Sequence, residues 1–451
     1  MQYYNLHSHV FTMRNAPVRF LSLYLPGAAA DLIDTLTNTQ AGSKAFAKAL
    51  SMLPGNGTKR YASFLSIGKS ADEIDVFKIL QAQYEPGIKF AALTMYMESL
   101  GIQGSESGFE GQLEGALDIK QQYPDDILLF LGVDPRWKGS ATELRQTVEE
   151  KFDYRMSVAG GRSVFPYVGL KLYPSTGFYA FDTRLTETFE WAADNGVPIV
   201  SHCNYLGGIY NNDINYIKNY LSSQKDPYDN NTVYSQPEYT KHFNFGKWLL
   251  GTNTAANNKQ TCSYFLEPQS YATLLTYFHA NRQLNGSYAV DPWFDAYRRS
   301  LTRLTGNQRL PLKLCLAHYG GDDQILIQNG KKTAGPPTGV SAVNWCGQIR
   351  SLIQQFEGLH TDIAYALFDP NIHDVIINDL EDAKLGDKIH FGTDFFLTEQ
   401  EMPERQDYTT FKAKAQAHPM ERIAGLTAWD VIASRNPERF LHSKYYDGKV
   451  I

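Results

Sequence analysis

The sequence predicts an α/β protein built as a (β/α)8 barrel, and three observations carry that prediction. Eight short apolar runs recur along the chain, each ending in polar or Gly/Pro residues. Segments with apolar residues three and four apart lie between several of them, the spacing of one helix face. Strands alternating with helices imply a parallel sheet with crossover connections. Eight strands suit a closed barrel, with an open doubly wound sheet as the alternative. The 451 residues read as one barrel domain, 1–451, with insertions at about 10–88 and 203–310.

In chain order the strands are YYNLHSH (3–9), KFAALTMYM (89–97), DILLFLGVD (126–134), PYVGLKLY (166–173), VPIVSH (197–202), LPLKLCLAH (311–318), HTDIAYA (360–366) and KIHFGTD (388–394). Helical spacing marks 109–123, 183–196 and 371–386, the last two ending at Gly196 and Gly386 as helix carboxyl ends often do. The second insertion is rich in Asn, Tyr and Ser, then turns helix-like at 268–284 and 291–304. Both insertions follow the carboxyl end of a strand, where barrel loops form the working face, so they read as lids, substrate walls or an oligomer contact.

Composition narrows the function. With 42 basic and 48 acidic residues the formal net charge is -6, and no Lys/Arg-rich run offers a stripe for phosphates, which argues against nucleic-acid binding. No run approaches the roughly 20 apolar residues of a membrane span, and the start lacks the basic-then-apolar pattern of a signal peptide. The four cysteines (Cys203, Cys262, Cys315, Cys346) are scattered without a Cys-x-x-Cys, a pattern that fits reduced thiols in the cytoplasm.

The chemistry gathers at strand ends. His7 and His9 stand two apart on the first strand, so both point to one side, inward in a barrel. Neutral imidazoles are common ligands for zinc-like metals. His202 closes the fifth strand, His318 the sixth and Asp394 the eighth, all at the carboxyl rim where barrel active sites are built. Each alone reads as a hydrogen-bonded strand end; together they form a metal-ligand constellation. Lys171, in GLKLYP, faces the axis while Leu170 and Leu172 face the helices. A buried lysine is costly unless paired or modified. It reads as a carboxylated bridge between two metals, a cation for an anionic substrate, or the partner of an inward carboxylate. Arg136 after the third strand, Tyr96 and Glu98 after the second, and Tyr173 beside Lys171 are candidate substrate contacts.

These residues resemble the amidohydrolase superfamily, most closely its amidohydrolase family 2 branch of TIM-barrel metal-dependent hydrolases. The resemblance runs from His7 to the carboxyl end through His-x-His, GLKLYP, VSH, AHYGG and GTD in strand order, and through the closing SRNPERFL (434–441). It implies that His7, His9, His202 and Asp394 hold the principal metal. It makes His318 a ligand of a second metal or a base and electrostatic partner, and Lys171 the position that is carboxylated in binuclear relatives. The expected cofactor is one or two divalent ions, zinc first.

The expected activity is hydrolysis of an amide, lactone or ester-like bond in a small polar molecule by a metal-activated water, with Asp394 moving the proton and His318 polarising the carbonyl. The insertions match no known subgroup, so the substrate does not transfer. Alternatives are a metal-dependent decarboxylase of an aromatic or unsaturated acid on the same residues, a uronate-isomerase-like activity, and a barrel that binds a ligand without turnover. A glycosidase would need two facing carboxylates, and beside Asp394 only Asp134 offers itself. The partner is a small molecule, with no nucleic acid or membrane; a homo-oligomer is left open.

Overall fold

A computed structural model of the chain describes residues 1–17, 63–64, 66–100, 105–204, 211, 213–223, 265–281, 311–333 and 344–446. Eight parallel strands run in sequence order around one sheet: β1 (Tyr3–Ser8), β2 (Ile88–Leu93), β3 (Ile127–Val133), β4 (Tyr167–Leu172), β5 (Ile199–Ser201), β6 (Leu314–Leu316), β7 (Leu359–Asp362) and β8 (Ile389–His390). The last meets the first. Leu6 N–H donates to Phe391 O (2.9 Å), Asp394 N–H to His7 O (2.9 Å) and His9 N–H to Phe395 O (2.5 Å). These bonds close the barrel and select it over the open sheet.

Helices cover the outside: α1 (Glu73–Gln81), α2 (Gly108–Gln122), α3 (Ala141–Asp153), α4 (Thr186–Asp194), α5 (Ile214–Ser223), α6 (Pro268–Asn281), α7 (Asp322–Gln328), α8 (Trp345–Gln355), α9 (His373–Glu381), α10 (Glu404–Gln416) and α11 (Asn436–Leu441). The periodicity reads α2, α4 and α9 correctly in place. After α4 the chain turns at Gly196, whose φ of +67° is the left-handed conformation that glycine adopts without penalty. The third expected end is corrected: α9 stops at Glu381, five residues before Gly386. Asp382 ends it by accepting from the N–H groups of Lys384 and Leu385. Gly386 instead allows close approach, because a Cβ there would lie 2.0 Å from Leu380 O.

Two apolar bodies result. An outer core fills the space between sheet and helices and includes Leu170 and Leu172. A smaller interior cluster holds Tyr4, Leu6, Leu128, Phe130, Val200 and Cys315, and Phe440 and Leu441 of α11 join it. Asn436 holds α11 there by donating to Gly386 O (2.7 Å) and Ile389 O (2.8 Å).

Strict alternation along β1 would send either Tyr4 and Leu6 or His7 and His9 outward. The pairing resolves this: Asn5 faces Phe90 and Ser8 faces Ala92, so three steps on β1 match two on β2. The extra residue is a β-bulge, which flips the side-chain phase. Leu6 packs inside and the imidazoles that follow turn inward above it.

Within the first insertion the structure describes α1, and within the second α5 and α6. The helix-like 291–304 and Cys262 lie outside the described residues. No helix among the described residues is long and apolar enough to cross a membrane.

Candidate functional site

His7, His9, Lys171, His202, His318 and Asp394 are all buried, and the fold brings them together at the carboxyl ends of the strands. His7 Nε2 lies 3.4 Å from Lys171 Nζ and 3.4 Å from Asp394 Oδ1. His9 Nε2 is 3.1 Å from the same carboxylate oxygen. His318 Nε2 and His202 Nδ1 are 2.8 Å apart. Ligand atoms of His7, His318 and Asp394 all lie within 4.8 Å of one another. His202 adjoins this trio through His318, and Tyr173 stacks on the His202 ring with centroids 4.4 Å apart.

The other nitrogen of three imidazoles is already committed. His7 Nδ1 meets Asp362 Oδ2 (2.9 Å), His9 Nδ1 meets Leu93 O (2.9 Å) and His318 Nδ1 meets Ala364 O (3.0 Å). Each facing atom is an acceptor, so a neutral ring places its single N–H on Nδ1 and turns the Nε2 lone pair inward. Burial holds His7 well below the ordinary imidazole range, with Lys171 adding to the effect, and burial lowers His318 too.

A carboxylate oxygen thus faces imidazole lone pairs, and Asp394 Oδ1 receives no hydrogen bond of good geometry. Lys171 Nζ and His202 Nδ1 are the donors beside the His7 and His318 lone pairs, while Asp394 Oδ1 has none. The donor set of imidazoles and a carboxylate therefore fits a divalent metal. Two members also sit in strained backbone: His318 at φ +71° and Asp394 at φ +66°. Non-glycine residues held there cost about 1–3 kcal/mol each and cluster at functional sites.

Burial pulls Lys171 down to about 8, partly offset by Asp394 and Asp362. Among the described residues no carboxylate lies within ion-pair distance of its Nζ.

Other expected contacts have different surroundings. Arg136 is half-buried against the buried Asp134, and all five of its N–H groups are spent on Asp134, Ser99 O and Thr176. Its guanidinium also stacks near Phe178 and Tyr216. It therefore braces the loops after β2, β3 and β4 and has no donor left for a substrate. Glu98 is exposed and accepts from Phe109 N–H (2.7 Å) at the start of α2. Tyr96 is half-buried and packs on Phe109 and Trp137. Helix α6 reaches the site, where the Tyr271 hydroxyl donates to His202 O (2.7 Å).

Asp362, at the end of β7, is absent from the sequence-derived set. Its signal was a carboxylate inside the apolar run HTDIAYA, two residues after His360. Only the fold shows that it meets His7.

The fold and site together define a parallel α/β barrel with a buried metal-type donor cluster on the carboxyl rim of its strands. The chain belongs to the amidohydrolase family, whose model it matches over residues 105–442. Members of this family are enzymes and typically bind divalent metal. No curated protein matches the chain. Solved structures similar to it include an uncharacterised TIM-barrel protein from Bordetella bronchiseptica, at 12% identity and a TM-score of 0.43 over 98% of both chains. A 2,6-dihydroxybenzoate decarboxylase complexed with 2,6-dihydroxybenzoate is similar at 14% and 0.40, over 98% of this chain and 99% of that one. A 4-oxalomesaconate hydratase from Rhodopseudomonas palustris is similar at 12% and 0.39, over 97% and 95%.

Proposed function

We propose that the chain is a divalent-metal-dependent hydrolase acting on an amide, lactone or ester-like bond of a small polar substrate. The observation that supports this reading is the convergence of buried ligand atoms of His7, His318 and Asp394 within 4.8 Å of one another. His7, His9, His318 and Asp394 would hold the ion, with His202 against His318, and zinc suits three imidazoles and a carboxylate first. Bound there, the ion supplies Lewis-acid charge that acidifies water and polarises a carbonyl. Asp394 takes the proton from water and returns it to the leaving group. The His202 N–H, displaced from His318 when that ring holds the ion, would lie alongside to hydrogen-bond the developing oxyanion, and the Lys171 ammonium adds positive charge in a site that excludes solvent. The chain works as one barrel unit with its insertions as walls of the site. Free buried Cys203, Cys315 and Cys346 accord with a reducing, cytoplasmic setting.

One observation favours a second reading. Lys171 has no carboxylate in ion-pair reach among the described residues, so a substrate carboxylate can fill that place, as a decarboxylase requires.

The test is metal analysis of the purified protein followed by a screen of lactones, N-acyl compounds and aromatic acids, with product acid and carbon dioxide measured together. Bound metal with acid formation and no carbon dioxide supports hydrolysis. Stoichiometric carbon dioxide replaces it with decarboxylation. Protein that takes up no zinc, manganese or iron and turns over nothing is a binding barrel.

A further inference from the structure

The inference concerns Asp362 and rests on the reading of His7 as a metal ligand. We propose that Asp362 is the positioning residue of the site, fixing one imidazole by its side chain and a second by its backbone.

Every contact of this buried carboxylate goes to the site or its neighbours. Oδ2 meets His7 Nδ1 at 2.9 Å, with the Cys315 thiol at 3.8 Å. Oδ1 accepts from His318 N–H (2.9 Å) and Ala364 N–H (3.1 Å). The two oxygens do different work. A carboxylate can only accept, so Oδ2 places the His7 proton on Nδ1 and leaves Nε2 bare toward Asp394 and Lys171. Oδ1 holds the corner after β6, where His318 and Tyr319 take φ of +71° and +51° and Gly320 and Gly321 follow with positive φ. Such a corner persists only where its surroundings over-determine it. Asp362 thus holds the His7 ring through Oδ2 and the His318 backbone through Oδ1.

The chemistry makes the role separable from bulk stability. Asp362→Asn keeps the shape but offers one acceptor oxygen instead of two. Two backbone N–H groups compete for that oxygen against one imidazole N–H. The oxygen goes to the backbone side and the amide NH2 faces His7. An NH2 group can only donate, so His7 must move its proton to Nε2, and its lone pair no longer faces the site.

The test uses full-length, metal-free protein with 15N-labelled histidine, the His7 signals being assigned against His7→Gln. In the wild type, NMR should show His7 protonated at Nδ1 and bare at Nε2. In Asp362→Asn the two should exchange, with the circular dichroism spectrum retained and zinc affinity, measured by chelator competition, lowered by about 10–100-fold. A wild-type His7 protonated at Nε2 overturns the proposal, whether or not the variant folds. So does an Asp362→Asn protein with unchanged tautomer and zinc affinity. If the wild type shows the expected tautomer yet takes up no zinc, the metal reading fails and the positioning role of Asp362 stands.

Discussion

His318 Nε2 stands 2.8 Å from His202 Nδ1, while the other nitrogen of His318 faces the carbonyl of Ala364. His318 therefore offers a lone pair, and His202 donates to it. A cation that takes this lone pair displaces the His202 N–H and leaves His202 to meet substrate. The two histidines should then separate on substitution. His318→Ala should lose zinc. His202→Ala should retain zinc and lower kcat by about 10²-fold or more. Metal analysis beside steady-state kinetics checks this; equal zinc loss in both variants would place both imidazoles on the ion.

Removal of the ion should cost stability. A site occupied at about 1,000 times its Kd adds about 4 kcal/mol. Chelator treatment should lower the melting temperature, and added zinc should restore it. Asp394→Ala should melt at one temperature with or without zinc. The same response to zinc in that variant would move the ion elsewhere.

Stability should also depend on pH through Glu404. This side chain is buried on α10 and accepts from the Tyr84 hydroxyl and from Thr393 Oγ1 (2.6 Å). Burial pushes it up to about 7, against those two hydrogen bonds, and Asp407 moves in the same direction. The folded chain holds more protons than the unfolded chain between about 4.5 and about 7. Stability contributed by this group is thus greatest at the acid end, falls as pH rises through that window, and levels off above it, by at most about 1.4 kcal/mol per pH unit. Glu404→Gln keeps an acceptor and loses the charge, so the urea midpoint should vary less between pH 5 and 7. A slope identical to wild type would show that Glu404 is not the titrating group.

Arg136 should behave as a structural brace. Its loss leaves the buried Asp134 carboxylate without its cation, a change that typically costs about 3–5 kcal/mol. Arg136→Ala should therefore lower the urea midpoint strongly, and in the surviving folded fraction KM should stay near wild type. A large rise in KM with unchanged stability would return Arg136 to the substrate.

The sequence by itself determined the eight strands, their order and the rim identity of His7, His9, His202, His318, Asp394 and Lys171. Those features follow from local patterning: apolar runs of strand length, side-chain alternation, and polar residues placed where each run ends. The helices α1, α3, α5, α7, α8 and α10 were not among those expected, although α3 (Leu144, Val148, Phe152) and α8 (Cys346, Ile349, Leu352, Ile353) carry buried apolar residues at helical spacing. The early end of α9 was not expected either, since Gly386 serves packing against Leu380 O and only looks like a helix stop.

Tertiary structure decided the rest. The bulge in β1 depends on pairing with β2, and without it His7 and Leu6 could not share the interior. Arg136 read as either a substrate contact or an ion pair, and the choice falls to Asp134, Ser99 and Thr176, which come from three separate loops. Asp362 looked like one more strand residue, since its role exists only where β1, β6 and β7 meet. Local propensity places a residue on an element, but a lone pair or a proton is assigned by whatever stands within about 3 Å of it, and those neighbours are chosen by the closure of the barrel.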